Sequence, residues 1–457
     1  MPKAMSAIPT VPGRLPMLGH MTPFKRRPLE FVQSLRSHGD LVRIYLGRTP
    51  VYVANSPEAI HRIFVAEQRH LNNGRIFDKA RQVFGNGIPF SDGSFYVRQR
   101  RIMQPAFHRQ RVEQYAEIMR AEATAKAESW TAGQVVDLHS EMRELVIDTV
   151  AKTLFSSELG REAVRELKRS IPILLGGIVS RTLSPAELLN RLPVGKSRRI
   201  DEAKERLRRV IGEVIREYRA NPGDRNDLLS MLLLSHDDTT GEGMTDDQLH
   251  DEIIGITVSG TETATLSLSW LFHEMSRHPD VEKRVYAEID SVLGDQTVGF
   301  EHVAALEYTH RVITEILRLH HPLWMLMRRA HSTVELAGVQ LPPGTEVMFS
   351  PYALHRDPVL YPDPHRFDPD RWLNGGYEDA PPGTFIPFGL GRRQCIGEAF
   401  GWAEVTIGTA EIVRRWRLRP VAGRKVREVA LATVHPSELP MVIEPRDGSG
   451  KSPSASS

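Results

Sequence analysis

The chain holds one cysteine, Cys395, among 457 residues. A single thiol excludes any intrachain disulfide and any zinc site built on several cysteines, and it fits a reducing compartment. An excess of charge of either sign is also missing. The 59 lysines and arginines against 57 aspartates and glutamates leave +2, which gives no reason to expect a nucleic-acid partner. Long apolar runs are absent, and Met1 to Met21 is broken by Pro9, Pro12 and Pro16. The expectation is a soluble, cytoplasmic protein with neither signal peptide nor membrane anchor. No repeat of solenoid length occurs, and no linker divides the chain. With 40% hydrophobic and 25% charged residues, one large globular domain is expected: a proline-rich lead over 1–27, a body over 28–445 and a disordered polar tail over 446–457.

What is present is mostly helical pattern. Apolar periodicity predicts helices over Pro28–Ser37, Pro57–Val65, Arg111–Trp130, Ser140–Phe155, Ala203–Tyr218, Asp227–Ser235, Asp280–Leu293, Leu306–His320 and Glu398–Trp416, with a weaker pattern over Leu183–Leu192. Short strands are expected over Leu41–Leu46, Val51–Ala54, Arg328–Ser350 and Val429–Ile443. The segment Asn72–Gly93, rich in turn residues, reads as a long irregular loop, and Pro362–Pro387 as an extended meander. The fold class is therefore mainly α with small β-sheets (α+β).

Two stretches carry chemistry. Cys395 stands in Phe388-Gly389-Leu390-Gly391-Arg392-Arg393-Gln394-Cys395-Ile396-Gly397, directly before a helix. Free N–H groups and the positive end of a helix dipole favour a thiolate there, usable as nucleophile, redox thiol or metal ligand. The other stretch lies in a helix predicted from a capping box at Thr245-Asp246-Asp247-Gln248 to Arg277, ~50 Å long at 1.5 Å per residue. Its centre, Ser259-Gly260-Thr261-Glu262-Thr263, places glycine, hydroxyls and one acid where good helix formers are expected. It reads either as a core helix tolerating a glycine or as a distortion admitting a small ligand beside hydroxyls and a proton source.

Those two stretches, with Glu315-Ile316-Leu317-Arg318 and Pro369-Asp370-Arg371-Trp372 between them, resemble in order and spacing the cytochrome P450 family of haem-thiolate monooxygenases, from about Pro12 to Pro445. The cysteine stretch meets every fixed position of that family's F-x-x-G-x-R-x-C-x-G pattern. The resemblance implies a P450-like fold with a long central helix and a cysteine-ligand loop, carrying haem b with Cys395 as its axial thiolate. It further implies Phe388 as an apolar shield of the sulfur, Gly391 for a tight turn, Gly397 for close approach to the porphyrin, and Arg393 for a propionate. Arg100 becomes a second propionate clamp, with Tyr96 on the same face where the family commonly has tryptophan. Arg328 is a third, with Arg329 as its competitor. Glu315, Arg318 and Arg371 become a buried ion network. Gly260 and Thr263 open a dioxygen groove, and Thr263 and Glu262 relay protons. Ser259 stands where the family usually has alanine.

The resemblance places Ile256, Leu323, Trp324, Val434 and part of Ile76–Ile88 in the substrate pocket. The uncharged run Pro322–Met327 implies a neutral lipophilic substrate. The stretches His38–Ile44, Gln99–His108 and Leu323–Ala330 are similar to bacterial enzymes that oxidise cyclic sesquiterpenes, which makes a terpene the leading substrate class and a fatty acid or polyketide the alternative. No flavin or iron–sulfur segment is seen, so electrons are expected from a ferredoxin and its NAD(P)H-dependent reductase, docked on Arg100, Arg101, Arg109 and Arg392 of a monomer. A haem-thiolate sensor or carrier, and a cysteine-nucleophile enzyme, are the rival classes.

Overall fold

Thr245 opens the helix around which the others pack. Its hydroxyl accepts from the Gln248 amide at 3.2 Å and the Gln248 side chain accepts from the Thr245 amide at 3.0 Å, so the capping box is closed. The helix then runs unbroken over Asp246–Arg277. This is a computed structural model, and it describes residues 5–183, 196–373 and 379–446. The weak pattern over Leu183–Leu192 and the tail beyond Arg446 lie almost wholly outside the described residues.

Leu138–Leu154 and Glu398–Arg415 pack against the long helix, and Arg109–Glu128 packs against both of these. Their facing sides are apolar or small, including Ala123, Ala127, Leu145, Leu268, Ala403 and Ala410, all buried. A helix over Glu158–Leu183 was not expected from the sequence, and Pro172 stands inside it. Its stripe Ala163, Leu167, Ile171 and Leu174 is buried at the i, i+4, i+8, i+11 spacing of one face. That face lies on the helix Lys196–Ala220. Tertiary burial here outweighs the local cost of proline. The segment Asn72–Gly93 also departs from the expected irregular loop. Arg75–Phe84 is helical within it, burying Ala80, Val83 and Phe84.

Beside the helical layer lies a five-stranded sheet. Its strands run in the spatial order Leu41–Leu46, Thr49–Ala54, Glu346–Phe349, Leu326–Ala330, Leu71–Asn73. All neighbours are antiparallel except Thr49–Ala54 with Glu346–Phe349. The register sets Arg328 opposite Asn73 on one side and Val347 on the other. The proline-rich lead is bound to this sheet. Val11 donates to Arg43 O at 3.0 Å, and the His20 ring accepts from the Tyr45 amide at 2.9 Å and meets Val11 O at 2.9 Å. A C-terminal hairpin, Glu428–Ala430 with Val434–Pro436, reaches back over the long helix.

Glu315 and Arg318 share one turn of the helix Glu307–Leu319 and are fully buried. The guanidinium meets the carboxylate through two bonds of 2.8 Å and spends its remaining hydrogens on the carbonyls of His355, Pro364 and Arg366. Glu315 also accepts from Arg371 Nε at 3.0 Å, from the Trp372 indole at 2.9 Å and from the Asp368 amide at 3.0 Å. The expected three-member network is present, with Trp372 as an unforeseen fourth member, and it ties the meander to the core.

A second polar clamp holds the hairpin base. His320 lies between Glu428 at 2.8 Å and Glu274 at 3.2 Å, stacked on Trp270 with ring centroids 4.1 Å apart. Glu428 also accepts from Arg356 at 2.9 Å and from Tyr352 at 2.5 Å. Burial alone would lower the His320 pKa, but the two carboxylates together raise it. Glu428 is itself drawn down to about 2: burial opposes ionisation and is outweighed by His320 and Arg356. A raised histidine contributes stability fully below its ordinary value and loses it as pH climbs through the raised one. A depressed carboxyl contributes above its ordinary value and loses it toward acid. The clamp is therefore strongest between the ordinary values of 4.5 and 6.5. His320→Gln is expected to flatten the pH dependence of the urea midpoint above that window. An unchanged slope would show that His320 is not charged there.

Candidate active site

A cavity of about 570 Å³ lies between the long helix, the cysteine loop, the strand Leu326–Ala330, the helix Arg75–Phe84 and the C-terminal hairpin. Its walls are mainly apolar, with Phe77, Phe84, Phe90, Val258, Leu317 and Phe400 among them. Among the described residues no helix is long and apolar enough to cross a membrane.

Cys395 lines this cavity, deep in the molecule yet with its own surface open to the enclosed space. The loop that carries it is fixed by backbone. The Cys395 amide donates to Phe388 O at 2.8 Å, and Gly389 and Gly391 take φ of +70° and +65°. A Cβ at Gly391 would come within 2.4 Å of the Phe64 carbonyl oxygen. Gly391→Ala is therefore expected to cost roughly 1–3 kcal/mol through left-handed strain and that clash. Urea unfolding measures it, and a change below a few tenths of a kcal/mol would contradict the geometry. The helix after the loop starts at Glu398. The helix mouth acts on Cys395 in the expected direction through the Gly397 amide, and burial works against it. Burial pushes the thiol up, Glu398 adds to that, and the Gly397 amide and Arg100 only partly offset it. A thiolate at this position calls for a cation beside it, which is what a metal ligand has.

Arginines gather at one side of the same cavity. Arg100 donates to Gln394 O at 2.6 Å and to the Tyr96 hydroxyl at 3.1 Å. Tyr96 lines the cavity but donates its one hydrogen to Arg392 O at 2.7 Å, so it braces the cysteine loop. Arg393 lies 4.3 Å from the Tyr96 ring centroid and pairs with Asp92 at 2.5 Å. Asp92 also bonds Arg81 and the Asn73 amide, at 2.9 and 2.8 Å. Local reading makes it only the residue before a helix, and it is not among the expected site residues. Arg328 and Arg329 are separated clearly. Arg329 pairs with Glu346 and Asp78. Arg328 is buried with only neutral acceptors, Met327 O at 2.9 Å and Asn73 Oδ1 at 3.4 Å. Burial, with Arg393 nearby, lowers its pKa to about 9. A buried guanidinium on a cavity wall that no carboxylate hydrogen-bonds among the described residues, with Asp92 acting only from a distance, fits an anionic group of a bound ligand.

On the long helix, Ser259, Gly260, Glu262 and Thr263 all line the cavity. The helix is continuous here. Its hydroxyls bond back one turn instead of breaking it: Thr263 to Ser259 O at 2.8 Å, Thr257 to Ile253 O at 2.7 Å. A Cβ at Gly260 would touch Val150 at 3.4 Å, ordinary contact, so glycine chiefly leaves room on the cavity side. Burial raises the Glu262 pKa, against Arg143 and the Thr433 hydroxyl.

Of the expected pocket residues, Ile256, Leu323 and Trp324 line the cavity, as do Ile76, Phe77, Ala80, Phe84 and Ile88. Val434 does not. It is fully buried in the sheet-side core, its amide bound to Pro322 O, and the hairpin presents Leu431, Ala432 and Thr433 to the cavity instead. The cavity is met by the turn that precedes the strand Val434–Pro436, and Val434, the first strand residue, packs into the core. Glu252 was also missed: it accepts from the Ile88 amide at 2.7 Å and holds the segment leading to Asp92.

The donor set suits a flat, apolar ligand with anionic edges and a metal at its centre: one thiol facing the space, three arginines at one side, and glycines 260 and 397 presenting no side chain to it. The cytochrome P450 family model matches residues 9–439. Cyclooctatin synthase of Streptomyces melanosporofaciens is 41% identical over 95% of both chains. Pentalenene oxygenase of Streptomyces avermitilis is 39% identical over 96% of this chain and 97% of its own. The solved cytochrome P450DA haem domain superposes with a TM-score of 0.85 at 23% identity, covering 96% of this chain and 98% of its own. The chain thus belongs to the cytochrome P450 family, haem enzymes with a cysteine thiolate as axial ligand that act as monooxygenases.

Proposed function

We propose that the protein oxidises a neutral cyclic terpene in the cavity described above, with Cys395 as the axial ligand of its haem. The observation that carries this reading is the apolar cavity onto which both the lone thiol and the Glu262–Thr263 wall open. The two Streptomyces relatives, a cyclooctatin synthase and a pentalenene oxygenase, support a terpene as the substrate class. When bound, the haem supplies an iron centre that activates dioxygen, and the thiolate's electron density favours O–O cleavage.

The chain's own residues do the rest. Phe388 lies against Trp402, ring centroids 5.9 Å apart, and shields the sulfur from bulk water. The Gly397 amide tempers the thiolate's charge. Arg100, Arg328 and Arg393 hold the propionates, Arg393 by exchanging Asp92 for a carboxylate of the same charge. Thr263 holds a proton at its Oγ1 and Glu262 replenishes it from a carboxyl that burial makes readier to be protonated. Phe77, Phe84, Ile256 and Leu323 exclude water and orient the substrate by shape.

Electrons come from a ferredoxin and its NAD(P)H-dependent reductase, and the protein works in the cytoplasm. Arg101, Arg109 and Arg392 are the exposed candidates for the docking face, and Arg100 is half-buried. Arg101 is partly engaged by Asp237 and Thr239, and Arg109 lies over the Phe300 ring at 5.4 Å. Titrating the haem protein with a library of cyclic terpenes and fatty acids tests the substrate class. A displaced Soret band with terpenes is expected, followed by terpene-dependent NAD(P)H consumption with a ferredoxin and reductase added. A response to fatty acids alone would sink the terpene reading, and binding without turnover would favour a carrier.

A further inference from the structure

Glu262 sits at the head of a line of hydrogen-bonding side chains drawn from three parts of the chain. Its Oε2 lies 3.4 Å from Thr433 Oγ1 and 3.4 Å from His435 Nε2. Thr433 Oγ1 and His435 Nε2 are 2.7 Å apart. The other nitrogen of that ring, Nδ1, lies 3.4 Å from His139 Nε2. His139 Nδ1 in turn is 3.2 Å from Ser269 Oγ. Both nitrogens of both imidazoles are therefore engaged along one path. One end of the path is the cavity wall, because Glu262 and Thr433 line the cavity. Water is reached at the imidazoles, since the His435 side chain is 20% exposed and His139 is partly exposed, whereas Ser269 is fully buried and donates to Thr265 O at 2.6 Å.

We propose that His435 and His139, joined to Glu262 through the Thr433 hydroxyl, form a proton-supply branch that refills Glu262 from solvent beneath the C-terminal hairpin. The proposal rests on the reading that Glu262 delivers protons to the cavity. Each transfer balances. His435 gives its Nε2 proton to the Thr433 oxygen as that hydroxyl passes its own proton to Glu262 Oε2. In the same movement His435 Nδ1 takes the Nε2 proton of His139, and His139 Nδ1 takes one from water. Each ring remains neutral and ends as its other tautomer, which a ring rotation restores.

The electrostatics agree with a relay rather than a clamp. Burial, His435 and Arg143 lower His139 to about 4, and burial with Arg143 lowers His435 too. Neutral rings with one open lone pair can pass protons. His320, fixed between two carboxylates and raised, cannot play that part.

Infrared difference spectroscopy of the holoenzyme at mildly acidic pH follows deuterium exchange at the Glu262 carboxyl, identified as the band lost in Glu262→Gln. Product formed per NAD(P)H consumed is measured in parallel. His435→Phe removes both ring nitrogens. His435→Gln keeps a donor for Thr433 but cannot pass a proton on, so a purely structural role would tolerate it. Both variants are expected to retain the haem band, to slow the exchange, and to lower product per NAD(P)H by roughly threefold or more. Wild-type exchange and coupling in His435→Gln would overturn the branch. If Glu262→Gln lowers coupling in that case, the reading of Glu262 survives and the branch alone falls. If Glu262→Gln is also without effect, both fall.

Discussion

Glu315→Ala is expected to yield protein that takes up little or no haem and loses roughly 3–5 kcal/mol of stability. The size follows from what is left behind. Glu315 and Arg318 are both fully buried, and Arg318 would keep its charge with only the carbonyls of His355, Pro364 and Arg366 around it. Arg371, the Trp372 indole and the Asp368 amide would lose the same acceptor. The segment they secure leads directly to the cysteine loop, so the loss reaches the haem site through the backbone. Glu315→Gln keeps the shape and part of the bonding, and should fall between wild type and alanine. Urea unfolding and haem content per chain measure both. An alanine variant with normal haem content would mean that the meander is held by other contacts.

Thr263→Val should reduce product formation about 10²-fold while leaving the fold, the haem and substrate binding as they are. Valine matches threonine in shape, and the hydroxyl is not part of the packed core: it bonds to Ser259 O and opens on the cavity. What is removed is an oxygen that can hold and hand on a proton. Electrons would then be lost as hydrogen peroxide, so NAD(P)H consumption should fall far less than product. Ser259 carries a second hydroxyl one turn earlier on the same wall, and Ser259→Ala should cost much less. Equal product yield from Thr263→Val and wild type would remove Thr263 from the proton path.

The residues that the sequence made legible are those whose partners lie close in the chain or whose backbone geometry is local. Gly391 is tied to a turn, Glu315 and Arg318 stand on one helical face, and the capping box at Thr245 closes within four residues. Residues that depend on distant partners were not legible. Asp92 meets Arg393 across 301 positions and His435 meets His139 across 296. Nothing local distinguishes them from a helix-flanking aspartate and a surface histidine. Val434 failed for a different reason: the turn Leu431–Thr433 faces the cavity and the strand that starts at Val434 does not, and where a turn ends and a three-residue strand begins is not set by its own sequence. The helix Glu158–Leu183 was hidden by Pro172. The helix mouth beside Cys395 is visible in the sequence, and the burial that pushes its thiol up is not.

Everything proposed for the site depends on Cys395 being the thiolate ligand of the haem. The ferrous–CO difference spectrum tests it most directly, recorded on the wild-type protein and on Cys395→His, which offers a nitrogen ligand at the same place. The red-shifted Soret band of a thiolate haem is expected for the wild type, and an imidazole-type band in its place for the variant. Persistence of the thiolate-type band without Cys395, the only cysteine of the chain, would contradict it.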